Sequence, residues 1–256
     1  MSASMGTVYL VGAGPGAPDL LTLRAVRLLE RADVVFYDAL VHPETIALAA
    51  RAAKVAVGKR CGRHSTAQRF INKRLVDAAR RYAVVVRLKG GDPMMFGRAQ
   101  EEIAALEAAG IACEVVPGIT AALAAAAALK TSLTQRGNAR SITFATPRVG
   151  DAQPSSTWVD GLAAADAGAI YMGVGEAASI ARVLIDAGKP GAMPVAIVES
   201  ASLPEQRILH TTLADLPRLA EAKVNGPALI LVGPQFRARA QELAERCRDE
   251  RRVASA

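Results

Sequence analysis

The sequence predicts an α/β protein of two domains, with a mainly parallel sheet in the first domain and a mixed sheet in the second. In residues 6–130, short valine-rich runs alternate five times with helical segments, which is the pattern of a doubly wound parallel sheet. Residues 131–139 are polar and without periodicity, as in a linker. Residues 140–248 contain further strands whose spacing permits mixed directions. We therefore expect an N-terminal α/β domain at 6–130 and a C-terminal α/β domain at 140–248.

Composition narrows the class of protein. The chain has 256 residues and only 4% of them are aromatic, so alanine, valine and leucine must fill the core. The longest apolar run, 119–129, is too short to span a bilayer, and residues 1–6 have no basic, then apolar, signal pattern. Cys61, Cys113 and Cys247 are far apart and have no nearby histidine at ligand spacing. We expect a soluble cytoplasmic protein with no metal and no membrane partner.

The strands of the first domain each end in a turn rich in glycine, aspartate or proline. They are predicted at residues 7–11, 33–38, 55–57, 84–86 and 113–116. The first is followed by the loop Gly12–Gly16, after which Asp19 is expected to cap a helix. This loop resembles a dinucleotide fingerprint only superficially, because Pro15 removes an amide that a pyrophosphate would need and no third glycine follows. A nicotinamide site is not expected.

The stretch 84–97 is where we expect the chemistry to converge. The strand must end at Gly90-Gly91-Asp92-Pro93, which neither regular structure tolerates. Two glycines allow a ligand close to the backbone, Asp92 adds an acceptor, and Arg98 opens the next helix. In open α/β sheets such strand ends bind ligands. An ordinary left-handed turn before a capped helix is the alternative that this loop alone leaves open.

Positive charge is concentrated in one segment of the chain. Residues 51–89 hold twelve Lys and Arg against one acid, Asp77, for a local charge of +11, whereas the remaining chain sums to −4. A polycarboxylate or nucleic acid would suit this segment, but Phe70 and Tyr82 are its only aromatics, too few for a base-stacking surface. Ser65 and Gln68 have the spacing of a capping box for a helix reaching about Arg81. A solvated helix face accounts for Arg69, Lys73, Arg74, Arg80 and Arg81.

Eight segments together resemble the uroporphyrinogen-III C-methyltransferases, over nearly the whole chain. They are VGAGPGAPDLLTLRA (11–25), DVVFYDALV (33–41), VGKRCGRHSTAQRFIN (57–72), VVRLKGGDPMMFGR (85–98), VVPGITAALAAAA (115–127), YMG (171–173), PEQR (204–207) and PALILVG (227–233). The GKR-x-G-x-HS block is the most specific, since related tetrapyrrole methyltransferases generally lack it. The resemblance implies the two-domain class III tetrapyrrole methyltransferase fold, a homodimer, and S-adenosylmethionine bound in a trough between the domains.

The resemblance also implies the reaction and the residues that perform it. Uroporphyrinogen III would be methylated at C2 and C7 to give precorrin-2 by way of precorrin-1, with S-adenosylhomocysteine as the other product and no nucleic acid as partner. Asp38 would accept a proton, Lys59 would donate one or act as a charge partner, and Arg98 matches a functionally important arginine. Cofactor contacts are implied for Pro15, Gly90, Gly91, Asp92, Met95, Thr120, Ala121, Met172, Ala201, Pro227 and Ala228. Substrate contacts are implied for Arg60, Arg63, His64 and Ser65.

From the residues alone, Asp38 could equally be a turn or cap residue, Lys59 a plain surface charge, and His64 a surface histidine. The chain also departs from the family pattern at Ala17, Gln135, Ala201 and Thr146-Pro147-Arg148. These departures leave backbone contacts to the cofactor intact but could alter the tetrapyrrole side. The alternatives are another precorrin methyltransferase, a ribosomal RNA methyltransferase of the same fold, and a tetrapyrrole carrier without activity.

Overall fold

The computed structural model describes residues 5–57, 64–148, 157–220 and 224–237. Within these ranges the chain forms ten strands and seven α-helices. The strands are β1 (Thr7–Gly12), β2 (Val34–Tyr37), β3 (Ala53–Ala56), β4 (Val84–Lys89), β5 (Cys113–Val116), β6 (Ile142–Ala145), β7 (Ala167–Tyr171), β8 (Pro194–Glu199), β9 (Arg207–Thr212) and β10 (Ala228–Val232). The helices are α1 (Leu23–Arg31), α2 (Pro43–Ala47), α3 (His64–Ala79), α4 (Ala99–Ala108), α5 (Ala121–Leu129), α6 (Trp158–Ala164) and α7 (Ala177–Asp186).

The chain divides into two compact units, Met1–Ala121 and Ala122–Ala256. The first unit is built on a five-stranded sheet in the order β3-β2-β4-β1-β5, and every neighbouring pair is parallel. Helices cover both faces of this sheet. This arrangement confirms the parallel first sheet that the alternating pattern predicted.

Alternate residues of each strand feed the two cores of the first unit, since successive side chains of a strand point to opposite faces. Val34 and Phe36 of β2 pack in one core with residues of α3 and α4, while Val35 packs in the other with residues of α1. Burial of β1 and β4 on both faces explains their nearly continuous valine and leucine content. The helix after β1 and the helix after β4 therefore lie on opposite faces.

The second unit contains a mixed sheet in the order β6-β7-β10-β8-β9. Only β6 and β7 run parallel; the other neighbours are antiparallel, as the sequence predicted. One face packs against α6 and α7, and the other packs against α5. Because Ala122, Ala125 and Leu129 of α5 belong to this second core, the chain divides at the first residue of α5, whereas the predicted boundary at residue 130 follows that helix.

Two local predictions are wrong. The cap of α1 is Thr22, whose hydroxyl accepts the Ala25 amide at 3.1 Å, whereas Asp19 lies earlier in a 3-10 turn. The capping box of α3 is not in register, because the helix already includes His64 and therefore places Ser65 inside its first turn. Strand β4 runs beyond its valine core to Lys89 and ends at the predicted glycine loop, so Arg87 and Lys89 are ladder residues.

Candidate functional site

The first unit has a switch point at the carboxyl ends of β1 and β4. These strands are neighbours, and because α1 and α4 leave them on opposite faces of the sheet, the loops that follow them diverge. Ligands of open α/β sheets bind in the crevice that such divergence creates. The structure thus places Gly12–Gly16 and Gly90–Pro93 side by side at this edge.

These two loops are joined directly by their backbones. The Gly14 amide donates to the Gly91 carbonyl at 3.2 Å, and the Gly91 amide donates to the Gly14 carbonyl at 2.7 Å. At Gly12 a Cβ would lie 2.6 Å from the Gly118 Cα and 2.8 Å from the Gly91 oxygen. Three loops, after β1, β4 and β5, therefore meet at a distance that only glycine allows.

At Gly91 the junction borders open space. Its φ is +68°, which favours glycine, and a Cβ built there would have no atom within 4 Å. Met95, Thr120 and Ala121 follow the second and third loops and are half-buried. These three predicted cofactor residues are thus partly accessible.

Asp92 ties two of the loops together. Its Oδ1 accepts the Met94 amide at 2.8 Å, and its Oδ2 accepts the Gly118 amide, also at 2.8 Å. Hydrogen bonds to an ionised acceptor are roughly twice as strong as neutral ones. The Asp92 carboxylate therefore links the loop after β4 to the loop after β5.

Asp38 lies immediately after β2 at the same edge of the sheet. Its Oδ1 accepts the Leu40 amide at 3.0 Å, and its Oδ2 accepts the Gly90 amide at 3.3 Å. The carboxylate side chain is 25% exposed, and its Oδ2 lies 3.9 Å from Arg87 Nη1. The structure thus brings the predicted proton acceptor to the predicted cofactor loop, with part of the carboxylate open to solvent.

A buried ionic cluster lies beneath this loop. Glu102, which is fully buried in α4, accepts from Arg87 Nε at 3.1 Å through Oε1 and from Lys89 Nζ at 2.9 Å through Oε2. Gln68 of α3 also donates to Oε1, at 3.2 Å. Burial, with a smaller contribution from Arg87, lowers the pKa of Lys89 below its usual value of 10.5, although Glu102 raises it. Arg87 and Lys89 therefore belong to the core and not to the anion-binding surface inferred from the sequence.

Arg98 stands at the N-cap of α4 with a left-handed backbone, φ +55°. Its guanidinium forms a two-point ion pair with Glu101, Nε to Oε1 at 2.7 Å and Nη2 to Oε2 at 2.8 Å. The hydrogen bond from Arg98 is the main cause that lowers the pKa of Glu101. Any substrate contact of Arg98 must therefore share the guanidinium with Glu101.

The predicted cofactor residues of the second unit gather at one end of its sheet. Because β10 runs antiparallel to β7 and β8, its first residue lies beside their last ones, with Leu229 opposite Tyr171 and Ala228 opposite Glu199. Met172, which follows β7, is 45% exposed and has a left-handed φ of +55°. Predicted contacts at Ala201, Pro227 and Ala228 lie at this same end.

Glu199 fastens the turn after β8 to the turn before β10. Its Oε1 accepts the Asn225 amide at 2.7 Å and the Gly226 amide at 2.6 Å, while Oε2 accepts from Arg207 Nε at 2.7 Å. The Ser200 amide adds a bond to the Pro227 carbonyl at 2.8 Å. Burial by itself raises the pKa of Glu199, but the hydrogen bonds from Gly226, Arg207 and Asn225 outweigh it and hold this pKa below 4.5.

Part of the predicted site lies outside the described residues. Lys59, Arg60 and Arg63 fall there, and for His64 and Ser65 the description covers only the backbone, in the first turn of α3. The exposed cations Arg69 and Lys73 belong to the outer face of α3, where Lys73 pairs with Asp77 at 2.7 Å.

Among the described residues, no group of three or more His, Cys, Asp or Glu could hold a metal ion. No helix in the same part of the chain is long and apolar enough to cross a membrane. Burial raises the pKa of the Cys113 thiol to about 11, so this thiol stays protonated at neutral pH.

Sequence reasoning missed Glu102 and Glu199. A usable pattern existed for the first: Arg87 and Lys89 are two apart in a valine-rich strand, so both must face one core and need a buried acid there. That pattern does not identify which acid is buried, because Glu101 and Glu102 are adjacent in the sequence. Nothing near Glu199 indicated that two distant turns would share its carboxylate.

Comparison with known proteins places this geometry in a family. The chain is 46% identical over 238 residues to a siroheme synthase of Azotobacter vinelandii, covering 92% of this chain and 51% of the relative. It spans about half the length of the curated relatives it matches.

Solved structures are similar over almost their full length. Uroporphyrin-III C-methyl transferase of Thermus thermophilus, complexed with S-adenyl homocysteine, matches with a TM-score of 0.79 and 39% identity, covering 91% of this chain and 100% of that one. A cobalt precorrin-4 methyltransferase matches with a TM-score of 0.78 and 29% identity, covering 89% and 94%. The family model of the Tetrapyrrole (Corrin/Porphyrin) Methylases matches residues 7–217. By sequence and by fold, the chain belongs to this family.

Proposed function

We propose that this chain catalyses the S-adenosylmethionine-dependent C-methylation of uroporphyrinogen III at C2 and C7, giving precorrin-2 by way of precorrin-1. The observation that carries the proposal is the junction of three glycine loops with the Asp38 carboxylate beside it, in a chain of the tetrapyrrole methylase family. The names of the similar proteins support the same substrate and cofactor.

The residues at the junction fit S-adenosylmethionine. Gly91 leaves open space where any side chain would stand, and Met95 and Thr120, which follow the loops after β4 and β5, are half-buried. We propose cofactor contacts at Pro15, Gly90, Gly91, Asp92, Met95, Thr120, Ala121, Met172, Ala201, Pro227 and Ala228. When bound, the cofactor supplies a sulfonium methyl group that a pyrrole β-carbon can attack.

The protein must position the two reactants and remove a proton from the macrocycle. Alignment of bound reactants supplies most of the rate gain of such transfers. Asp38 is the proposed proton acceptor, since its carboxylate is partly exposed and fixed by two backbone amides. Lys59 is proposed to donate a proton or to act as a charge partner, and Arg98 is proposed as a further catalytic residue.

The substrate carries eight carboxylates, which suits the basic segment 51–89. Arg60, Arg63, His64 and Ser65 are the proposed substrate contacts. Two cations of this segment, Arg87 and Lys89, are buried against Glu102 and therefore do not contribute. We also propose that the enzyme works as a homodimer in the cytoplasm, which light scattering on the purified protein and cell fractionation would test.

The deciding experiment is incubation with anaerobically generated uroporphyrinogen III and S-adenosylmethionine, followed by mass analysis. Two added methyl groups are expected, in a product with the absorption spectrum of precorrin-2. The control is Asp77→Asn, which removes an exposed carboxylate paired with Lys73 and should methylate normally. Methyl transfer to RNA, or inhibition by RNA that competes with uroporphyrinogen, would favour the ribosomal RNA alternative; no transfer to any tetrapyrrole would contradict the proposal.

A further inference from the structure

The buried cluster at the end of β4 has an unusual balance of charge. Arg87 and Lys89 are each 4% exposed, and the acid that contacts both, Glu102, is fully buried. Two cations face one carboxylate there, and burying an uncompensated charge is costly. The fourth charge is Asp38, whose Oδ2 lies 3.9 Å from Arg87 Nη1. The cluster is neutral only when Asp38 is ionised.

Glu102, together with the main-chain carbonyls of Phe36 and Leu88, holds the Arg87 guanidinium in place. Arg87 Nε donates to Glu102 at 3.1 Å, and Arg87 Nη1 donates to the Leu88 carbonyl at 2.9 Å. Held in this way, Nη1 stops short of hydrogen-bond distance from Asp38. The Asp38 carboxylate therefore accepts backbone amides and keeps part of its surface for a substrate proton.

Lys89 is held by the same acid. Its Nζ donates to Glu102 Oε2 at 2.9 Å, and its main chain leads directly into Gly90, whose amide donates to Asp38. The charged and titratable groups near the cluster, among the residues that the structure describes, are Arg87 and Lys89 of β4, Glu101 and Glu102 of α4, Arg98 paired with Glu101, Cys113 of β5, and Asp38 after β2. From α3 the cluster receives the neutral amide of Gln68.

We propose that Glu102 is a positioning residue for Asp38: by pairing with and orienting Arg87 and Lys89, it keeps the Arg87 guanidinium beyond hydrogen-bond distance of the Asp38 carboxylate and leaves that carboxylate open to accept a proton. The proposal rests on the proposed function, in which Asp38 is the proton acceptor. Without the charge of Glu102, Arg87 acts on Asp38 uncompensated and favours its ionised form, while the buried Lys89 loses the acid that raises its pKa.

The experiment compares two substitutions with opposite expected effects. Glu102→Gln removes the compensating charge, so the acid limb of the kcat profile should move to lower pH by about one unit and kcat should fall up to about tenfold. Arg87→Gln removes the cation nearest Asp38 and leaves the Lys89 pair, so the acid limb should move to higher pH by about one unit. Substrate carboxylates titrate equally in all variants, so the differences between variants are the measured quantity.

Two further variants separate positioning from packing. Glu102→Asp keeps the negative charge, and its acid limb should stay close to that of the unaltered enzyme. Asp77→Asn removes an exposed carboxylate of α3 and should change neither kcat nor the profile. Unfolding by heat, measured on all four, records the loss of stability separately from the pH profile.

A second measurement does not depend on turnover. With ¹³C-labelled aspartate, the carboxyl signal of Asp38 is assigned by its loss in Asp38→Asn and then titrated in each variant. If the unaltered protein adds no methyl groups, the proposed function fails, and the titration still decides whether Glu102 and Arg87 govern the ionisation of Asp38. Opposite shifts in the two glutamine variants support the proposal. Unchanged titrations, or shifts in one common direction, would overturn it and leave Glu102 as a packing residue.

Discussion

Replacing Asp92 by alanine should weaken S-adenosylhomocysteine binding by roughly ten- to a hundredfold. Of the two bonds that this carboxylate accepts, the one from Met94 is exposed, and water can replace it. The bond from Gly118 is partly buried and joins the loop after β4 to the loop after β5. A bond to a charged acceptor is worth about 1.5–3 kcal/mol, and in the variant the cofactor must supply that free energy to reassemble the junction.

Calorimetric titration with S-adenosylhomocysteine measures this loss directly, and urea unfolding measures the accompanying loss of stability. The Michaelis constant for uroporphyrinogen III should change less than the cofactor affinity. Asp92→Asn keeps one acceptor oxygen, so its loss of binding free energy should be about half that of Asp92→Ala. Asp77→Asn, at an exposed carboxylate of α3, is the control and should bind the cofactor normally. Unchanged cofactor affinity in Asp92→Ala, together with the expected loss of stability, would refute the link between this junction and the cofactor.

Three other outcomes are expected. Titration with NAD or NADP should give no heat of binding, because Pro15 interrupts the first glycine loop, and micromolar binding would contradict the site proposed here. In Asp38→Asn, turnover should fall about 10²–10⁴-fold with cofactor affinity unchanged, whereas near-normal turnover at saturating substrate would reduce Asp38 to a turn residue. Lys59→Ala should lower kcat, and a rise in the Michaelis constant alone would indicate uniform binding instead. In Glu199→Gln, the free energy of unfolding at neutral pH should be lower and should change less as the pH falls. The native pKa of Glu199 lies below the unfolded value of 4.5, so its contribution to stability is present above pH 4.5 and is lost as the pH falls below it. Urea unfolding between pH 3 and 7 would measure both effects.

The fold could be predicted largely from the sequence, because the first sheet follows from local patterns. Valine-rich strands that alternate with helices demand parallel pairing, and β5 was predicted with its observed bounds, Cys113–Val116. Errors arose where side chains cooperate over short distances. Thr22 and Asp19 are both suitable cap residues, but Pro18–Leu20 forms a separate 3-10 turn, so α1 begins after Thr22.

The candidate site was predictable in part. Strand ends marked by glycine and aspartate did locate Asp38, Gly90 and Gly118 at one edge of the sheet. Contacts across the chain had no local pattern: Asp92 reaches Gly118, and Glu102 reaches Lys89, through pairings that exist only after the sheet has formed. Arg87 and Lys89 show most clearly what the sequence could not predict: a count of charges in residues 51–89 does not distinguish a buried cation from an exposed one.

The packing of α5 determines where the gene could be cut. A fragment of residues 1–130 would carry α5 without its partners, exposing Ala122, Ala125 and Leu129 to water, and would be prone to aggregate. The complementary fragment, begun at residue 140, would lack that helix over Ala169, Ala196 and Leu231. Expression of separate halves should therefore succeed best with the break at Ala121, and residues 131–139, although they resemble a linker, are the wrong place for it.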